Sequence, residues 1–116
     1  MPGASKSSIT IDPGSPPEWV RPHPGEMLRK EYLEPLGLSA TALAQSLGVP
    51  TNRITAILKG ERSVTADTAW RLARYWGTTA QYWMNLQQGY DLSKAWIEDG
   101  ARIEREVRAR RVDEAA

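Results

Sequence analysis

The residues of this chain best equipped for chemistry fall in one short run, Thr51-Asn52-Arg53-Ile54-Thr55-Ala56-Ile57-Leu58-Lys59, and that chemistry is hydrogen-bond recognition, not bond making. At about 100° per residue, Ile54, Ile57 and Leu58 share one arc of a helix, while Asn52, Thr55, Ala56 and Lys59 share the opposite arc. An asparagine side chain offers a donor and an acceptor together, as an adenine edge requires. Threonine can bond a base or touch a thymine methyl, and alanine permits close approach. Thr51 and Arg53 flank this face. Arg53 carries the donor fork that suits guanine, and at the edge of the arc it suits a phosphate equally well. Phosphate contacts are expected from the residues around the same helix: Thr41 and Gln45 before it, and Lys59, Arg62 and Ser63 after it. Lys59 and Arg62 have a plainer reading as solvated cations near a helix C-terminus, where the helix dipole favours positive charge.

Catalytic arrangements are missing by residue type. The chain has no cysteine and one histidine, His23, which precedes Pro24 where a helix starts and has no nucleophile or second ligand beside it. That excludes thiol chemistry, disulfides and zinc sites of the cysteine type. Glu98 and Asp99 are adjacent, so on a helix they point apart and do not face each other across a substrate. No glycine-rich phosphate loop is present, and no metal site or cofactor is expected.

The recognition face needs elements to hold it, and helix signals supply them. Pro24 and Glu26 suit the first turn of a helix carrying Leu28, Tyr32 and Leu33, which Pro35 and Gly37 are expected to stop. Ser39 is the N-cap of a short helix with Ala40, Leu43, Ala44 and Leu47 on one face, ended by Gly48. Pro50 opens the recognition helix and Gly60 closes it. Small Ala44, a left-handed Gly48, Val49 beneath the turn, and Ile54 with Ile57 and Leu58 as anchors make the set of a helix-turn-helix over residues 39–60. Thr65 caps a fourth helix with Ala66, Ala69, Leu72, Ala73 and Trp76 as its buried stripe, ending at Gly77. A fifth starts near Thr79. With five helices and no strand pattern, the domain is expected to be all-α.

The ends differ in composition. Six of the eight prolines lie in the first 24 residues among Gly, Ser and Thr, so residues 1–22 are expected to be a flexible N-terminal arm. Residues 23–92 form the helix-turn-helix DNA-binding and dimerisation domain. Residues 93–116 form a charged C-terminal helical tail, with five arginines between Arg102 and Arg111 and with Trp96, Ile103 and Val107 on one face. The tail reads either as a partner-docking helix or as a solvated helix laced with charge pairs, weakened by Gly100.

The aromatic residues Trp70, Tyr75, Trp76, Tyr82 and Trp83 exceed what so small an interior needs, and most of them are expected in the core. The fifth helix is apolar over a wide arc, which assigns Tyr82, Trp83, Met84, Leu86 and Tyr90 to a homodimer interface. A twofold dimer places two reading helices about one turn apart on palindromic DNA. The formal net charge is only +1, yet Arg53, Lys59 and Arg62 face the single acid Glu61 between Pro50 and Arg62, so the recognition region is locally basic. No stretch approaches the roughly 18 apolar residues of a membrane span, and the start has no export pattern. A cytoplasmic protein without membrane contact is expected.

The run from His23 to Ala95 resembles the HigA-type antitoxins, a branch of the lambda-repressor-like (XRE) helix-turn-helix proteins. The matching pieces are His23-Pro24-Gly25-Glu26, Leu33-Glu34-Pro35-Leu36-Gly37-Leu38-Ser39 and Leu47-Gly48-Val49-Pro50. They continue through Gly60-Glu61-Arg62-Ser63-Val64-Thr65-Ala66-Asp67-Thr68-Ala69 and Arg71-Leu72-Ala73 to Tyr82-Trp83-Met84-Asn85-Leu86-Gln87 and Tyr90-Asp91-Leu92. The resemblance implies a lambda-repressor-like five-helix domain with an additional charged C-terminal helix. It implies a dimeric repressor of its own operon that binds a double-stranded DNA operator and neutralises a HigB toxin, an mRNA-cleaving ribonuclease of the RelE type. The antitoxin itself is no enzyme. By position, base reading carries over onto Thr51, Asn52, Arg53 and Thr55, and the dimer helix onto the Trp83 to Leu86 region. The long proline-rich start and the charged tail depart from the pattern, and either is a place for a toxin to bind. The alternatives are a stand-alone XRE-type transcriptional regulator and a protein-interaction module with weak DNA binding.

Overall fold

The computed structural model describes residues 16–111; residues 1–15 of the proline-rich start and residues 112–116 of the tail lie outside the described residues. Residues 21–91 form one compact unit, and the remaining described residues belong to a second. Among the described residues there are helices and no strand, so the fold is all-α.

The first helix, α1, spans residues 24–36, and its winding changes along its length. Pro24–Met27 is α-helical, Leu28–Leu33 is π-helical and Glu34–Leu36 is α-helical again. His23 caps it: Nδ1 accepts the Gly25 N–H at 2.9 Å. Pro35 was expected to stop this helix, but it lies inside it. In α-winding its ring would press on the carbonyl four residues back. The π turn just before it, in which the Glu34 N–H reaches the Arg29 carbonyl, opens that spacing. The stop comes at Gly37, left-handed at φ 62°, with the Leu38 N–H returning to the Leu33 carbonyl at 3.0 Å.

The next two helices are α2 (Ala40–Leu47) and α3 (Thr51–Leu58). Ser39 caps α2 by accepting the Ala42 N–H at 3.0 Å. Gly48, at φ 72°, ends it with paired bonds, from its own N–H to Gln45 and from the Val49 N–H to Ala44. Only glycine adopts that backbone without strain, which is why the turn can be so short. The fourth helix, α4, is Ala66–Trp76. Thr65 stands at its N-cap position, but its hydroxyl donates to Thr68 Oγ1 instead of accepting a helix N–H. The fifth helix, α5, is one run of 27 residues, Ala80–Glu106, where a fifth helix and a separate charged tail helix were expected. Thr79 caps it by accepting the Tyr82 N–H at 3.0 Å.

The core of the 21–91 unit is built from Leu28, Leu33, Leu43, Ala44, Leu47, Ile54, Ile57, Val64, Ala69, Leu72, Ala73, Ala80 and Trp83. Every helix of the unit contributes, so α3 is held on its Ile54 and Ile57 side from several directions. At Gly25, α1 and α3 meet closely: a Cβ there would stand 1.8 Å from the Ile57 carbonyl oxygen, so only glycine fits. Trp83 sits fully buried at the centre, with its indole N–H on Thr78 Oγ1 at 2.8 Å and the Tyr32 ring 5.3 Å away.

Trp83, expected at a dimer surface, is wholly interior. Of the five clustered aromatic residues, Trp83 is in the core and Trp76 and Tyr82 pack against it, while Trp70 is 69% exposed and Tyr75 is also exposed. Ala66, expected in the buried stripe of α4, is exposed, and the buried face of α4 begins at Thr68. In the second unit, helical winding runs through Gly100 with the Trp96 ring lying directly over it, and Lys94–Glu98, Asp99–Arg102 and Arg102–Glu106 pairs lace its surface.

Candidate nucleic-acid interface

The outer face of α3 follows from what anchors its inner face. Ile54 and Ile57 are buried, which turns Asn52 and Lys59 to solvent and leaves Thr51, Arg53, Thr55 and Ala56 partly exposed. Asn52 is the most open of the expected base readers. Thr55 is partly engaged already, its hydroxyl donating to the Asn52 carbonyl at 3.3 Å. The expected phosphate set, Thr41 and Gln45 on α2 with Lys59, Arg62 and Ser63 after α3, is exposed throughout. Pro50 contributes no side-chain cap to α3, so its first backbone N–H groups keep no side-chain acceptor.

Two features behind this face were not foreseen. The first is a charge cluster around Asp67. Arg53 Nη1 and Arg71 Nε both donate to Asp67 Oδ2, at 3.1 and 2.9 Å, and Arg71 Nη1 donates to the Leu47 carbonyl at the end of α2 at 2.8 Å. The Arg71 hydrogen bond holds the Asp67 carboxyl below the usual carboxylate range, with Arg53 adding to the effect. In sequence Asp67 looks like an ordinary acid in a helix first turn, so nothing local reveals its partners.

The second is Gln87, buried in α5. Its side-chain oxygen accepts the Val64 N–H at 2.7 Å and its amide donates to Asp91 Oδ1 at 2.9 Å. This pins the loop that leaves α3 at Gly60, the same loop that carries Arg62 and Ser63. A polar residue among apolar neighbours at helical spacing was the one available signal for it.

His23 packs edge-on against Tyr90 at 4.8 Å, and burial holds its pKa below the ordinary histidine value against the opposing pull of Asp91. Among the expected dimer residues, Tyr82, Met84, Leu86 and Tyr90 are half-buried. Among the described residues no His, Asp or Glu cluster could hold a metal, and no helix is long and apolar enough to cross a membrane.

A capped helix, a glycine turn and a second helix with a polar outer face make this a helix-turn-helix domain of the DNA-binding class. The helix-turn-helix family HTH_3 matches residues 30–83. Virulence-associated protein I of Dichelobacter nodosus is 58% identical over 73 residues, 63% of this chain and 68% of that protein. An addiction module antidote protein of the HigA family from Coxiella burnetii is 49% identical with a TM-score of 0.74, covering 78% of this chain and 99% of its own. The Pseudomonas aeruginosa antitoxin HigA, solved with the higBA promoter, is 44% identical with a TM-score of 0.73, covering 75% and 95%. The chain belongs to the HigA-type antitoxins of the XRE helix-turn-helix family.

Proposed function

We propose that this protein is a cytoplasmic antitoxin that represses its own operon through α3 and neutralises a HigB/RelE-type mRNA-cleaving toxin. It acts by binding, not by catalysis. The observation that carries the reading is the polar face of α3, led by Asn52, on a helix-turn-helix closely similar to one solved with its promoter DNA. Thr51, Asn52, Arg53, Thr55 and Ala56 read base edges in the major groove. Thr41, Gln45, Lys59, Arg62 and Ser63 hold phosphates and set the register. Two copies pair through α5, where Tyr82, Leu86 and Tyr90 border one side of the buried Trp83 and Met84 the other, presenting two α3 helices to a palindrome. Residues 23–92 act as the DNA-binding and dimerisation domain, flanked by the arm and the charged tail.

The test has two arms. Co-expression with the small toxin encoded beside it should relieve growth arrest, and the two proteins should co-purify. The purified protein should bind the DNA upstream of its own operon with an affinity that falls steeply with salt. DNA binding without relief of toxicity would leave a stand-alone regulator. Relief without DNA binding would leave a protein-interaction module.

A further inference from the structure

Arg53 is not a free arm of the reading helix. Its Nη1 bond to Asp67, the shared oxygen with Arg71, and the Arg71 bond to the Leu47 carbonyl tie the first turn of α3 to the first turn of α4 and the end of α2. The Arg53 side chain is 26% exposed and that of Asp67 58%, so the pair lies at the surface. Exposed ion pairs stabilise a fold little, and a carboxylate beside a polyanion site works against binding on its own account. Asp67 suits the first turn of α4 and the i,i+4 pair with Arg71, but neither role requires its contact with Arg53.

The geometry gives that contact a use. A guanidinium carries five N–H donors in a planar fork. Asp67 occupies Nη1, which leaves the Nε and Nη2 donors as a parallel pair, the arrangement that guanine O6 and N7 accept. The contact also restrains a long side chain before DNA arrives, so less ordering remains for the binding step. Resting on the operator-binding reading, we propose that Asp67 is a positioning residue: it holds the free donor edge of Arg53 for one guanine of the operator and sets base preference there without touching DNA itself.

The test is a set of anisotropy titrations on the native operator and its single-base-pair variants, using wild type, Arg53→Ala, Asp67→Ala, Asp67→Asn and the Arg53/Asp67 double alanine variant. Replacing the contacted guanine should cost the wild type roughly ten-fold or more in affinity. Arg53→Ala and Asp67→Ala should each bind all variants at that position about equally, and the double variant should lose nothing further. Asp67→Asn, which keeps an oxygen acceptor in place, should keep part of the preference. Thermal unfolding of each variant checks the fold, and the asparagine variant carries the test if the alanine variant unfolds. The proposal is overturned if Asp67→Ala retains the guanine preference, or tightens binding to every sequence by one common factor. It is also overturned if Arg53→Ala weakens all sequences evenly with a shallower salt dependence, the mark of a phosphate clamp. A wild type that does not separate operator from scrambled DNA would overturn the operator-binding reading itself.

Discussion

The side-chain oxygen of Gln87 accepts the backbone N–H of Val64 at 2.7 Å, joining α5 to the loop that follows α3. Both residues are buried, so neither group has water as a substitute. Gln87→Leu keeps the bulk and removes the acceptor, which leaves the Val64 N–H without its side-chain partner. The expected loss is about 1–3 kcal/mol, seen as a lower urea midpoint at unchanged slope.

Gly25 marks where α1 rests on α3. Its absent side chain would come within 1.8 Å of the Ile57 carbonyl oxygen, a backbone atom that cannot swing aside. Gly25→Ala therefore has to push the two helices apart, at an expected cost of about 1–3 kcal/mol or more by chemical denaturation.

The two tryptophans Trp70 and Trp83 should respond very differently to the same change. Trp83→Ala empties the centre of the core and should cost about 3–5 kcal/mol. Trp70 is 69% exposed, and Trp70→Ala should shift stability by no more than about 0.5 kcal/mol. Thermal unfolding of the two variants under one condition checks the contrast.

His23 makes stability depend on pH in a defined direction. Burial lowers its pKa in the fold, and its Nδ1 must be unprotonated to accept the Gly25 N–H. The unfolded chain takes up the proton more readily, so this contribution is complete above the unfolded value of about 6.5 and is lost as pH falls through the lower folded value. The melting temperature should drop on acidification through this window. His23→Asn, which keeps an N-capping acceptor, should flatten that part of the profile.

Much of this architecture is legible locally. Ser39, Gly48, Gly60 and Gly77 act through bonds to residues a few positions away, so their types and spacing announce the caps and turns. The inward set of α3 is legible for the same reason, since Ile54 and Ile57 follow helical spacing. What stays hidden depends on meetings between distant segments. Arg53 with Asp67 and Gln87 with Val64 are such pairs, and no local rule brings them together. The aromatic residues show the limit of periodicity: it locates Trp70 and Trp83 on helix faces, but which face looks inward is decided by the packing of α4 and α5 on the other helices. Gly100 was expected to weaken the tail helix, yet the Trp96 ring covers it and winding continues to Glu106. A single helical glycine costs only about 1 kcal/mol, which such a contact can offset.

On the proposed function, the exposed face of α3 reads DNA sequence. The direct measurement is the affinity of wild type and Asn52→Ala for the chain's own upstream operator and for a scrambled duplex of the same length, at fixed salt. Wild type should prefer the operator, and Asn52→Ala should lose about 1–3 kcal/mol of that preference while its binding to scrambled DNA is nearly unchanged. An Asn52→Ala variant that keeps the full preference would contradict the account.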